Sequence, residues 1–181
     1  MKNIKILLVI YFIGSANMGF AHKYQYPVKP GTREWSKLLS TEEMINVCQL
    51  PESTLKSIST NDLLVSCLEY PLLLQYTASN SPYEGVISIT NIFNGFNELL
   101  NRFDYPVVLV DYYKKANVTE TNDNPNMGAF AFNFLALELL IGDERVINKL
   151  DVYTQKQVID IILDKYGQKK ELDEYFGFYG R

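Results

Sequence analysis

The groups that could do chemistry in this chain are few: one His, two Cys, and acidic side chains set among apolar neighbours. Zinc sites, Ser-His-Asp triads and Cys-His dyads each need a positioned imidazole or several thiolates, and this chain offers a single imidazole near its start. The best acid/base candidate is Glu138. Between Phe130 and Ile141 only Asn133 and Glu138 are strongly polar, and a buried carboxylate is either paired or protonated, the second state being what a general acid needs. The two are five residues apart, about 140° around a helix, so they do not share a site. Pairing of Glu138 with Arg145 or Arg102, or escape to water near the helix end, is the plainer reading. Asp160 and Asp164 share a helix face at i,i+4, a spacing that suits a hard cation or a divided acid/base pair, but Lys156 one turn earlier explains them as an ion-pair surface.

A second constellation points to binding. Opposite the apolar positions Val86, Ile89, Phe93, Phe96, Leu100 and Phe103, which read as one face of a helix over 83–103, stand Asn91, Asn94, Glu98 and Asn101, with Asn97 beside them and Arg102 flanking. Amides both donate and accept, so this stripe suits sugar hydroxyls or exposed peptide backbone; its bland reading is a solvated face.

Cys48 and Cys67 leave two readings open. An exported protein can bridge them, at a stabilisation of about 3 kcal/mol, and free thiols pack as small apolar residues. No glycine-rich phosphate loop, nucleotide-binding signature or zinc-ligand spacing occurs, so the sequence implies no metal and no cofactor. Thr121-Asn122-Asp123-Asn124 lacks the acidic spacing of a calcium loop, and Asn117-Val118-Thr119 matches a glycosylation acceptor. A net charge of −4, with basic residues scattered along the chain, argues against nucleic acid as a partner.

These groups need a scaffold, and its start reads as a targeting segment. Lys2 and Lys5 precede the apolar run Ile4–Ile13, and Gly19-Phe20-Ala21 puts small residues at the −3 and −1 positions, which predicts a signal peptide over 1–21 with cleavage after Ala21. The run is too short for a membrane span. Cleavage removes two lysines and no acid, and makes His22 the terminus, where amine and imidazole together could chelate a metal, although an ordinary chain end explains it as well. Residues 22–31, with two prolines and a glycine, predict an extended arm.

From 32 to 181 the signals predict one all-α domain of about eight to ten helices. Thr32 can cap a helix at Arg33-Glu34-Trp35; Ser40-Thr41-Glu42-Glu43 is a capping box; Pro51 and Ser59 open the next two helices. Ser81-Pro82 opens the long one that carries the amide stripe. Asp104-Tyr105-Pro106 can cap another helix, in which Val107-Val108-Leu109-Val110 reads as helix in preference to a buried strand; 116–125 reads as a polar loop and 126–141 as an enclosed central helix ended by Gly142. Asp143 then caps 144–150, and Thr154 opens a last helix, with Val158, Ile161, Ile162 and Leu163 inward, closed by Gly167. The aromatic tail 174–179 should dock on the body or on a partner.

Ser40–Cys48 laid on Ser59–Cys67 matches cap, acid, apolar pair and cysteine at an offset of 19. The echo suggests a helical repeat, so the helices either stack as a solenoid or close into an irregular bundle. Pro30-Gly31-Thr32-x-Glu34-Trp35, Gln49-Leu50-Pro51-Glu52, Leu55-x-x-Ile58-Ser59-Thr60, Leu63-Leu64 and Tyr70-Pro71-Leu72 together resemble the amino-terminal pattern of a family of exported, helix-rich bacterial proteins of unknown function. The resemblance covers about a third of the chain and implies export and helices. The expectation is an exported, non-enzymatic helical binding or assembly module that meets an envelope or extracellular protein or a glycan. The alternative is a small carboxylate-dependent hydrolase of glycans or peptidoglycan, with Glu138 or Glu98 as acid.

Overall fold

Three serines open helices for the same reason. Ser40, Ser59 and Ser81 hold extended backbone, and each hydroxyl accepts the amide hydrogen of the residue three positions on, Glu43, Asp62 and Glu84. Each thereby satisfies a donor that the first helical turn leaves unpaired. They start α1 (Thr41–Val47), α3 (Thr60–Leu68) and α4 (Pro82–Ile92), and Pro51 precedes the short α2 (Glu52–Ser57). The computed structural model describes residues 23–118, 127–172 and 176–177. The signal peptide predicted over 1–21, His22, the glycosylation threonine, most of the polar loop and part of the aromatic tail lie outside the described residues.

Chain order continues with α5 (Asn94–Asn101), α6 (Tyr105–Lys115), α7 (Met127–Ile141), α8 (Glu144–Ile147) and α9 (Val152–Glu171), with 3-10 turns at Trp35–Lys37 and Leu73–Ala78. The fold is all-α: nine α-helices and no strand among the described residues. Their buried apolar side chains form one core. α3 touches α5, α6 and α7, and α7 reaches back to α4 as well as to α6 and α8. In a solenoid each unit meets only its neighbours, so these long-range contacts describe an irregular bundle. The nineteen-residue echo holds at the level of caps and breaks down in packing. α1 buries no side chain fully, whereas α3 buries Leu63, Leu64, Cys67 and Leu68.

Two expected boundaries move. The helix predicted over 83–103 is broken at Phe93, whose ψ of 120° is extended. The extended backbone turns the Phe93 ring fully into the core, where it stacks on Tyr70 at 4.1 Å and meets Phe96 edge-on. The amide of Asn94, freed from the helical ladder, donates instead to Gln49 Oε1 at 2.8 Å. At the other end Asp151, not Thr154, opens the last helix by accepting from Thr154 N, and the helix runs through Gly167 to Glu171. A glycine inside a helix costs only about 1 kcal/mol, which the side chains anchored on either side of it override.

Residues 23–29 of the amino-terminal arm form no helix or strand and are tied to the body. A turn with Gly31 at φ 91° reverses the chain, closed by Thr32 N donating to Lys29 O. Ahead of it Tyr26 is buried, its hydroxyl donating to Ser66 O, and Tyr24 N donates to Ser66 Oγ. Gly85 lets α4 lie against the 3-10 turn at 73–78, since a Cβ there would collide with the Tyr76 carbonyl.

Candidate functional site

Lys165 and Lys169, four residues apart on α9, share its inward face with Val158 and are almost fully buried, at 6% and 2% exposure. Lys169 Nζ donates to both oxygens of Glu138, at 2.8 and 2.6 Å, and the Tyr113 hydroxyl donates to Oε1 at 2.7 Å. The ammonium lies 5.4 Å from the Phe134 ring centre and 5.7 Å from that of Phe176, so an aromatic cage supplies cation–π attraction where water is excluded. Burial first, then the adjacent Glu138 charge, hold the Tyr113 phenol far above its ordinary range. Among the described residues no carboxylate pairs with Lys165. It donates to the Ala116 carbonyl at 2.5 Å and lies over the Tyr113 and Phe134 rings. Burial pulls its ammonium below the usual lysine value.

Glu138 is therefore paired, although not with Arg145 or Arg102 as the sequence reading expected. Both oxygens are engaged inside the protein. Asn133 points elsewhere, lining a cleft of about 430 Å³ with Tyr112, Phe130, Phe134, Leu137 and residues of α3. Arg145 instead holds Asp143, a buried side chain that also caps α8, by contacts of 2.5–3.1 Å, and reaches Thr90 Oγ1. Burial alone would raise the Asp143 carboxyl; the hydrogen bonds and charge of Arg145 outweigh it and hold the group below its usual value.

The break at Phe93 dismantles the amide stripe, because Asn91 lies on α4 while Asn94, Glu98 and Asn101 lie on α5. The Asn94 amide clamps Leu50 by accepting from its N–H at 2.9 Å and donating to its carbonyl at 2.8 Å. Glu98 orients Arg102, whose guanidinium donates to the carbonyls of Leu55 and Ile58 at 2.8 Å and fixes α2 and the start of α3. Two members of the proposed binding set are thus structural clamps. The Asn91 carbonyl accepts from Asn97.

Asn101 stands apart. With Arg102, Phe103, Asp104, Pro106, Val107 and Lys149 it lines an open depression of about 630 Å³ at the corner between α5 and α6. Phe103, expected to close the apolar face of the long helix, is 99% exposed there, and Val107 beside it is exposed as well. The chain leaves the helix at Arg102, which becomes extended, so the ring at 103 no longer follows the buried face. Leu163, expected inward, is also exposed.

Cys48 and Cys67 stand as free, buried thiols. Burial lifts Cys48 to about 11 and Cys67 well above its ordinary value, so both are unreactive packing groups at neutral pH. Asp160 and Asp164 are on the exposed side of α9, where Gln168 donates to Asp164. Among the described residues no cluster of three His, Cys, Asp or Glu is placed to hold a metal, and no helix is long and apolar enough to cross a membrane.

Sequence reasoning missed Lys165 and Lys169. Their signal was a positional one: both fall on the face of Val158, Ile161 and Leu172, where a solvated lysine has no place. Comparison of the chain with protein-family models, with curated proteins and with solved structures returned no match.

Proposed function

We propose that the chain is an exported, non-enzymatic binding module that meets a protein partner through the corner between α5 and α6. The observation that carries the reading is Phe103, a large ring 99% exposed at the mouth of a depression with an apolar wall and a polar rim of Asn101, Asp104 and Lys149. Aromatic side chains that a partner can desolvate, ringed by polar groups, are where binding energy concentrates. The basic start, apolar run and small-residue cleavage motif of residues 1–21, and the resemblance of the amino-terminal third to exported proteins, support the location.

The rival reading, a carboxylate hydrolase of glycans or peptidoglycan, needs Glu138 free to meet a substrate. Lys169 and Tyr113 already occupy its oxygens, which counts against it.

A photoreactive residue placed at position 103 in the exporting cell tests the proposal. The expected result is one discrete protein adduct, lost on Val107→Glu, with the recovered chain beginning at His22. No adduct at 103, or an adduct indifferent to Val107→Glu, overturns the corner as contact surface. A recovered chain that retains residues 1–21 overturns the export assignment.

A further inference from the structure

The outward side of α9 carries a feature that its fold does not use. Val152, Lys156, Ile159, Leu163, Tyr166 and Lys170 succeed one another at spacings of 4, 3, 4, 3 and 4 along the whole helix. At 100° per residue they fall within about 80° of arc, the narrow a/d seam of a coiled coil. Its four apolar members are exposed, from 45% at Tyr166 to 81% at Val152. The inward face of the same helix buries two lysines. α9 thus offers water four apolar side chains along one line, interrupted by Lys156 and ended by Lys170, while holding two lysines inside.

We propose that this seam pairs with α9 of a second copy of the chain, antiparallel about a two-fold axis near residue 161. That register is self-complementary. Ile159 meets Leu163 of the copy, Lys156 meets Tyr166 of the copy, a cation over a ring with Asp164 of the copy on the same flank to pair with it, and at the two ends the Lys170 stem lies along Val152 of the copy. Gly167 lies on that flank, and among the described residues a Cβ there would touch nothing within 4 Å, so the flank is open at this point. A glycine weakens a helix, and an approaching second helix explains why a side chain is absent at this point.

Length also fits. Twenty residues span about 30 Å, and two such seams bury on the order of 1,200 Å², the lower edge of specific association. A membrane surface fits less well: Lys156 and Lys170 lie on the seam, but the flank that bears Gly167 carries Asp160 and Asp164, which an anionic surface repels. Nothing in the proposal depends on the corner between α5 and α6, so either stands if the other fails.

Sedimentation equilibrium of the purified protein, with cysteine cross-linking, is the test. The expected result is a monomer–dimer equilibrium with Kd on the order of 10 µM. Leu163→Glu weakens it at least ~100-fold while the helical circular dichroism spectrum is retained, because a carboxylate is then buried against Ile159 of the copy at the centre of the seam. Gly167→Leu, which favours the isolated helix, weakens it at least ~10-fold by filling the approach. A mixture of Ile159→Cys and Leu163→Cys chains forms the cross-link faster than either alone. A monomer at every concentration up to about 1 mM, dimerisation indifferent to both Leu163→Glu and Gly167→Leu, or cross-linking faster in each single variant than in the mixture overturns the proposal. So does capture of a monomer by anionic phospholipid vesicles without dimerisation.

Discussion

α5 and α9 are opposites. α5 is short, and its polar residues, read along the sequence, look like a surface made for a ligand; in the fold Asn94 and Glu98, with Arg102 just beyond the helix end, hold neighbouring backbone in place. α9 is long and reads as an ordinary closing helix, yet two of its lysines, Lys165 and Lys169, are buried against aromatic rings and its apolar side chains on the outward seam face water. Residue type thus misleads in both, and what separates them is whether each group's bonding capacity is met inside the chain. A polar group fully engaged within is structural, whatever chemistry its type would allow, and an apolar group left outside is where contact is to be sought.

The comparison breaks first at Lys169. Lys169→Met leaves the Glu138 carboxylate without its ammonium and is expected to lose about 3 kcal/mol or more in urea unfolding. A loss under about 1 kcal/mol would mean that the pair contributes nothing to the fold. On α5, Arg102→Ala should lose about 2 kcal/mol, because the carbonyls of Leu55 and Ile58 lose their donors, with Asn94→Ala close behind. Stabilities unchanged in both would return the amide stripe to candidacy as a binding face.

Acid sharpens the contrast. Asp143 has a folded-state value below its unfolded one near 4, so its contribution is present above about pH 4 and is lost as pH falls through the lower, folded value. Unfolding followed between about pH 5 and 2 should show this slope, and Arg145→Met should flatten it. The smallest effect is expected at Lys165. Its folded-state value lies below the unfolded one, so its burial opposes folding at neutral pH, where the unfolded chain holds the proton more readily. Lys165→Met, which keeps the stem and removes the charge, should shift stability by less than about 1 kcal/mol, toward the folded state. Two lysines on one face, four residues apart, then give opposite signs.

The helices were legible because their signals are local. Ser40, Ser59, Ser81 and Asp143 cap as their types and following residues foretell, and the run 126–141, apolar nearly all round and ended by Gly142, marked α7 as an enclosed helix. The break at Phe93 was not legible, since the apolar spacing runs unbroken through it. Its causes, the Tyr70 ring and the Gln49 side chain, are more than twenty residues away in sequence. The exposure of Phe103 follows from the end of α5 at Asn101 and was hidden for the same reason. The partner of Glu138 lies 31 residues on, so spacing alone offered the nearer Arg145. The seam on α9 was present in the sequence as a 4-3 alternation, hidden behind the inward set Val158, Ile161 and Ile162 of the same helix.

The most direct test of the claim that the chain's polar groups serve the fold is a double-mutant cycle on Glu138 and Lys169 by equilibrium urea unfolding. If the pair is structural, Glu138→Leu and Lys169→Met each destabilise strongly, and the double variant recovers much of the loss, giving a coupling of about 2 kcal/mol or more. Additive losses, or a Glu138→Leu protein as stable as the parent, would contradict the account and leave the carboxylate free for chemistry.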